Sequence, residues 1–284
     1  MDVSISVTAY PGAGAAAALT DLARAADEQG LHTIWVADHL IQADPAAAVT
    51  DPMLEAYSVL SYLAAATRRV RLGAMVSPVT FRAPALLIKT VTTLDVLSGG
   101  RAWLGLGAGY QQDEAAAMGL PLPPVGERFD YLADTLRLAD RMWRADAAAF
   151  RGHRISLDRP LCYPQPVSRP RPPILVGGTG ERHTLRLVAE HADACNLFDI
   201  PDGGATLRRK LAVLRRHCET AGRDYDSVVK TVSTGLTPGE PASAFAARCA
   251  QLRSYGVDHV VVIARGRPLT VRDVELVAAG RAAG

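Results

Sequence analysis

The chain has 284 residues, 49% of them hydrophobic and 21% charged, and its 31 basic and 29 acidic side chains leave a net charge of +2. That balance gives no electrostatic footprint for nucleic acid, and no apolar run reaches the ~20 residues a membrane helix needs. The length suits one α/β barrel better than two small domains, because no Ser/Gly-rich linker or low-complexity tract divides it, so residues 1–284 are read as one domain.

From the N-terminus onward, apolar runs alternate with amphipathic stretches. Strands are predicted at 3–8, 33–37, 70–76, 102–107, 174–177, 194–198, 228–233 and 259–264. Helices are predicted at 16–29, 51–67, 83–97, 126–144, 181–191, 205–221, 241–255 and 270–279. The opening MDVSISVTAY has no basic segment ahead of an apolar core, so it reads as a strand and not as a signal peptide. Glycines 30, 222 and 256 stop helices shortly before the next strand. The strands are too apolar to have a wet face, which is the mark of a parallel sheet covered by helices. Eight such units point to a closed (β/α)8 TIM barrel, with a doubly wound open sheet as the alternative. One connection breaks the rhythm. Residues 145–173, between helix four and strand five, hold six prolines and no helical period, so they are read as an insertion or lid. Its register puts it at the bottom of the barrel unless it wraps around. Together with the loop 41–51 it is expected to shape the substrate pocket.

The basic clusters Arg208-Arg209-Lys210 and Arg215-Arg216 fall on a predicted helix and read as a solvated face. The cysteines at 162, 195, 218 and 249 are far apart. They fit reduced thiols in a cytoplasmic protein better than a disulfide framework or a zinc site.

In a barrel of this kind, chemistry belongs at the C-terminal ends of the strands. Strand two ends in Asp38-His39, strand four in Gly107-Ala108-Gly109-Tyr110, strand five in Gly177-Gly178-Thr179-Gly180 and strand six in Asn196-Leu197-Phe198. The strand-five turn opens a helix and offers bare N–H groups to a phosphate, with Arg182 near to add charge. The same glycines would equally make a tight turn. Gly105-x-Gly107-x-Gly109 lacks the third glycine of a dinucleotide fingerprint, since Tyr110 follows. Asp38-His39 is the sharpest polar pair, and imidazole is the side chain that exchanges a proton near neutral pH. Glu114 either reaches the same mouth or faces solvent. No His-x-His occurs and only His39 lies at a strand end, so no metal site is expected.

Several segments in this order resemble the bacterial luciferase-like flavin and deazaflavin oxidoreductases. They are Trp35-Val-Ala-Asp-His-Leu40, Ala64-Ala-Ala-Thr-Arg-Arg-Val-Arg-Leu-Gly73, Phe81-Arg-Ala-Pro84, Thr93-Leu-Asp-Val-Leu-Ser-Gly-Gly-Arg101, Leu104-Gly-Leu-Gly-Ala-Gly-Tyr110, Gly177-Gly-Thr-Gly-Glu-Arg182 and Ala192-Asp-Ala-Cys-Asn-Leu197. The pattern is most similar to the branch that uses the deazaflavin coenzyme F420. The resemblance implies a (β/α)8 barrel, often a homodimer, that passes hydride between F420 and a small, largely apolar organic substrate. It puts Asp38 and His39 near the cofactor ring, Gly107, Ala108 and Gly109 along it, and a cis Met75–Val76 peptide against one face. It sends the cofactor phosphate to Gly177, Gly178, Thr179 and Gly180, with Arg182 and Asn196 close by. His39 is then the proton donor or acceptor, and Tyr110 a group that polarises a substrate oxygen. The F420 dehydrogenases of sugars and alcohols carry Trp shortly after the Asp-His pair and Glu after the glycine turn. Ala43 and Tyr110 stand there in this chain, which opens the pocket and removes a general acid/base. A reduced-FMN monooxygenase fed by a separate reductase is the alternative the family offers. A non-catalytic flavin-binding relative is the third.

Overall fold

Strands this apolar must be covered on both faces, and the chain achieves this by closing the sheet on itself and wrapping helices around it. Residues 1–283 are described by the computed structural model, and among them eight parallel strands form the barrel. They are β1 Asp2–Val7, β2 Thr33–Val36, β3 Arg71–Ala74, β4 Ala102–Gly107, β5 Ile174–Gly177, β6 Ala194–Phe198, β7 Val229–Gly235 and β8 His259–Ile263. The order around the barrel is 3-2-1-8-7-6-5-4, and β3 closes on β4 with Leu72 opposite Ala102. The run predicted at 70–76 is therefore interrupted: after β3, a two-residue strand Ser77–Pro78 continues alongside Leu106 and Gly107 of β4. The Met75–Val76 peptide between them is cis.

The helices are α1 Ala15–Glu28, α2 Ala56–Ala66, α3 Pro84–Ser98, α4 Gln112–Ala117, α5 Val125–Trp143, α6 Thr184–His191, α7 Ala205–Thr220, α8 Ala242–Ser254 and α9 Val271–Ala283. α2 starts five residues later than the sequence suggests. Glu55 caps it, its side chain accepting the Ser58 N–H at 2.7 Å. α3 ends at Gly99 in the left-handed region, φ 70°. No helix among the described residues is long and apolar enough to cross a membrane.

The 145–173 segment is a strap on the outer wall rather than a lid. A short hairpin, Phe150–Arg151 with Ser156–Leu157, packs beside α5. The buried Asp134 carboxylate accepts the N–H groups of His153, Arg154 and Ile155 at 3.1, 2.7 and 3.0 Å. Asp95, buried near the end of α3, accepts those of Val167 and Ser168. Neither this segment nor the 41–51 loop supplies a wall residue to the cavity described below; the 41–51 loop touches it from behind, Ile41 donating its N–H to Glu114 and Gln42 its amide to the Thr8 carbonyl at 3.3 Å, whereas 145–173 does not take part. The carboxylates of α3 and α5 hold the strap against the helices instead.

The barrel interior is filled from below. His259 lies on the floor, its Nε2 2.6 Å from Ser4 Oγ and its ring edge-on to His32 at 4.8 Å. Ser4 Oγ also accepts the Thr33 N–H, which leaves its own proton for an unprotonated Nε2. Above them Trp35 and Trp103 cross with ring centroids 5.6 Å apart. Gly73 makes room for both: a Cβ there would stand 2.7 Å from Trp103 Cβ and 2.8 Å from Trp35 Cζ3. Higher still, Val76 reaches in. A Cβ on Gly107 or Gly177 would meet its methyls at 2.7 and 2.8 Å.

Two measurements follow. Desolvation, with the nearby His32 and the N-terminal amine, pushes the His259 pKa down to about 3. The unfolded chain therefore takes up a proton near pH 6.5 that the folded chain refuses, so stability is full above that pH and falls below it, by up to about 1.4 kcal/mol per pH unit from this group. His32 is lowered too, chiefly by desolvation, and adds to the slope. His259→Gln should flatten the pH 4–7 dependence of urea stability. Gly107→Ala should cost about 1–3 kcal/mol by overpacking against Val76, and Val76→Ala in the same chain should restore part of it in thermal melts.

Candidate active site

A cavity of about 360 Å³ opens at the C-terminal end of the barrel. Its walls are mostly backbone and carbon. Residues 107–109 and 177–179 contribute bare or small walls, and Met75, Val76, Pro78, Phe81, Leu122, Phe129, Phe198 and Ile263 contribute apolar side chains. Ser6, Thr8, Ser233, Asn196 and Thr184 are the small polar groups. His39 and Glu114 bring charge chemistry.

His39 sits just past β2, with 19% of its side chain exposed. Its Nδ1 lies 2.7 Å from Oε2 of Glu114, whose side chain is 1% exposed. The other carboxylate oxygen accepts the N–H groups of Leu40 and Ile41. Burial pushes the Glu114 pKa up, but the His39 hydrogen bond and these amides outweigh it and hold the carboxyl below its usual range. An ionised carboxylate on Nδ1 fixes the proton there. Nε2 is then the ring atom left to give or take a proton. Glu114 therefore faces the mouth; the short helix α4, which the strand–helix rhythm does not announce, carries it in.

Asp38 behaves differently from the expectation. It is buried, does not line the cavity, and binds Arg82 in a fork at 2.6 and 3.0 Å while accepting Ser77 Oγ at 2.6 Å. Arg82 also holds Glu55 at 2.6 Å and lies over the Tyr57 ring at 4.9 Å. Adjacent residues leaving a strand point to opposite sides: His39 turns to the cavity, and Asp38 ties the loop after β3 to the barrel.

The glycine turn after β5 brings Gly177, Gly178 and Thr179 to the wall but not Gly180 or Arg182, both of which are exposed. Its tightness has its own cause. Gly178 has φ +126°, and a Cβ on Gly180 would stand 2.9 Å from Thr184 Oγ1. Asn196 reaches the wall with its amide already engaged, Nδ2 to Ser233 Oγ at 3.0 Å and Oδ1 accepting Thr231 Oγ1 at 2.9 Å. Tyr110 lines the cavity but is 69% exposed, its ring edge-on to His39 at 6.0 Å. Desolvation around its hydroxyl and the charge of Glu114 raise its pKa, so it is a neutral phenol. Phe129, Leu122 and Thr184 join the wall without any local sequence signal, because they come from helix starts and a loop. Among the described residues no cluster of His, Cys, Asp and Glu is placed to hold a metal ion.

Comparison with known proteins adds to this geometry. The family model of the luciferase-like monooxygenases matches residues 3–276. An F420-dependent glucose-6-phosphate dehydrogenase of Kineococcus radiotolerans is 31% identical over 232 residues, covering 80% of this chain and 66% of its own length. Other curated relatives are spanned over about half to two thirds of their lengths. Among solved structures, an F420-dependent secondary alcohol dehydrogenase in complex with an F420-acetone adduct superposes with TM-score 0.82 at 16% identity, covering 98% of this chain and 97% of that one. The monooxygenase RslO1 from Streptomyces bottropensis gives TM-score 0.80 at 20% identity, with 98% of each chain covered. Both structures share the barrel, at identities that speak to fold alone. With the family model matched along nearly the whole chain and the barrel closed as that family closes it, the chain belongs to the luciferase-like monooxygenase family.

Proposed function

We propose that the chain is an oxidoreductase that passes hydride between the deazaflavin coenzyme F420 and a small organic substrate. The observation that carries this reading is a histidine held by a buried carboxylate at the edge of a cavity walled by glycine backbone. A flat, multi-ring cofactor needs a slot free of projecting side chains, and residues 107–109 and 177–179 fit that need. Met75 and Val76 would lie against one face of the ring, Gly107, Ala108 and Gly109 along it, and Gly177, Gly178, Thr179 and Thr184 toward the phosphate. When bound, the cofactor supplies a two-electron carrier of hydride. The protein supplies the rest. Glu114 keeps the Nδ1 proton of His39 in place, and Nε2 takes a proton from a substrate hydroxyl or returns one to a carbonyl oxygen. The carbon-rich wall excludes water around that transfer.

The named F420-dependent relative supports this reading. A reduced-FMN monooxygenase is the second reading, supported by the monooxygenase that shares the fold; it would draw reduced flavin from a separate reductase. We read the protein as a homodimer, as the family resemblance implies, located in the cytoplasm, where reduced thiols agree with four buried, unpaired cysteines.

Anaerobic titration with F420 and, separately, with FMN tests the choice. Selective micromolar F420 binding is expected; selective FMN binding with oxygen-dependent turnover would move the assignment to the monooxygenase. His39→Ala should lower turnover about a hundredfold or more and change F420 affinity only a few-fold. Glu114→Gln keeps a hydrogen bond but removes the charge. It should shift the pH profile of kcat toward lower pH without loosening F420, whereas a merely structural Glu114 would lose folding and leave that profile in place.

A further inference from the structure

We infer that the substrate is an uncharged, largely apolar molecule whose body rests between Tyr110 and Phe198 at the lip of the cavity, and that phosphorylated and other anionic substrates are excluded. The kind of reaction rests on the F420 reading above; the kind of ligand rests on the composition of the wall.

No lysine or arginine lines the cavity. The cations nearest in sequence to its walls are committed elsewhere: Arg82 to Asp38 and Glu55, and Arg128 to the Gly109 carbonyl. Arg182 and Arg265, each two residues from a wall residue, are exposed and stand off the wall. The ionisable groups that do face the space are His39, Tyr110 and Glu114, and Glu114 is held in its charged form. A substrate phosphate brought beside His39 would be desolvated next to the Glu114 carboxylate with no cation to pair with, the most unfavourable setting for a buried charge; the cofactor phosphate is read instead at the backbone N–H groups of the turn after β5. A sugar phosphate, the substrate in the name of the Kineococcus relative, is therefore a poor fit to this wall.

The lip points to what fits instead. Tyr110 and Phe198 both line the cavity, yet they remain 69% and 47% exposed. One follows the end of β4 and the other ends β6, so they flank β5 and its glycine turn, whose one side chain at the wall is the small Thr179. At about 360 Å³ the cavity is near the small end of ligand pockets, and it must take both the cofactor ring and the reacting end of the substrate. The remaining apolar body then lies against the two aromatic faces, where ring stacking and area burial favour it. For an alcohol–ketone couple the step balances. With oxidised F420 bound, the cofactor would take the hydride of the broken C–H bond, Nε2 of His39 would take the O–H proton, and the C=O bond would form.

Calorimetric binding of benzylacetone, acetone and glucose 6-phosphate, to the protein with and without F420, tests the inference. Benzylacetone should bind at least tenfold more tightly than acetone, and glucose 6-phosphate should not bind. Phe198→Ala and Tyr110→Ala should each lose about tenfold in benzylacetone affinity, with Phe198→Leu losing less, in variants whose melting temperatures stay near that of the parent. Binding of glucose 6-phosphate as tight as that of benzylacetone overturns the inference. So does unchanged benzylacetone affinity in both alanine variants, or no benzylacetone binding to either form. If benzylacetone binds at the lip but F420 does not bind at all, the cofactor reading fails and the substrate class stands.

Discussion

The structure depends on how the inside of the barrel is filled. Eight strands enclose a space that side chains must occupy, because a void would forfeit packing on every wall. Here two tryptophans occupy the lower half, and Gly73 is the residue that lets both fit. With that volume taken by Trp35, Trp103, Leu175 and Val261, Met75 and Val76 pack on top as a floor. Gly105, Gly107 and Gly177 accommodate the approach of Ala74 and Val76. What remains above Val76 is the cavity. Glycines that read as ligand-binding in the sequence are thus, at 107 and 177, first a condition for packing. The smooth wall they leave is what a flat cofactor needs.

Buried carboxylates do most of the remaining positioning, and they do it in one way. Asp27 accepts the N–H groups of Arg68, Arg69 and Val70 at 3.1, 2.7 and 2.7 Å, Asp134 those of the strap, and Asp95 those of Val167 and Ser168. Each closes a loop that lacks a ladder of its own, and charge-assisted bonds to amides offset the cost of burying the anion. Glu114 follows the same rule with Leu40 and Ile41 but spends its second oxygen on a titratable ring. That one difference places a hydrogen-bonded carboxylate–imidazole pair at the cavity mouth.

The shared barrel does not settle chemistry among relatives, since the same scaffold carries a dehydrogenase and a monooxygenase. At the lip of the cavity stand Tyr110, just past β4, and Phe198, the last residue of β6. The insertion that looked most like a specificity element binds the outer helices instead.

The amino-acid sequence by itself determined the barrel. Apolar runs ending in glycine at 107 and 177, or set between Asp193 and Asp199, gave β4, β5 and β6 at their observed limits, and the other strands within a few residues, because burial on both faces leaves a signal that needs no partner to be read. It also marked His39, the glycine turns and the Met75–Val76 bond by position and resemblance. It paired His39 with its neighbour Asp38, and there local order misleads. Successive residues at a strand end diverge, so Asp38 meets Arg82, and the partner of His39 comes from 75 residues away. The wall residues Phe129, Leu122 and Thr184, the lack of a lysine or arginine lining the cavity among the described residues, and the strap role of 145–173 were decided only when the barrel closed. They depend on which distant segments share one end of it, and no short-range pattern encodes that.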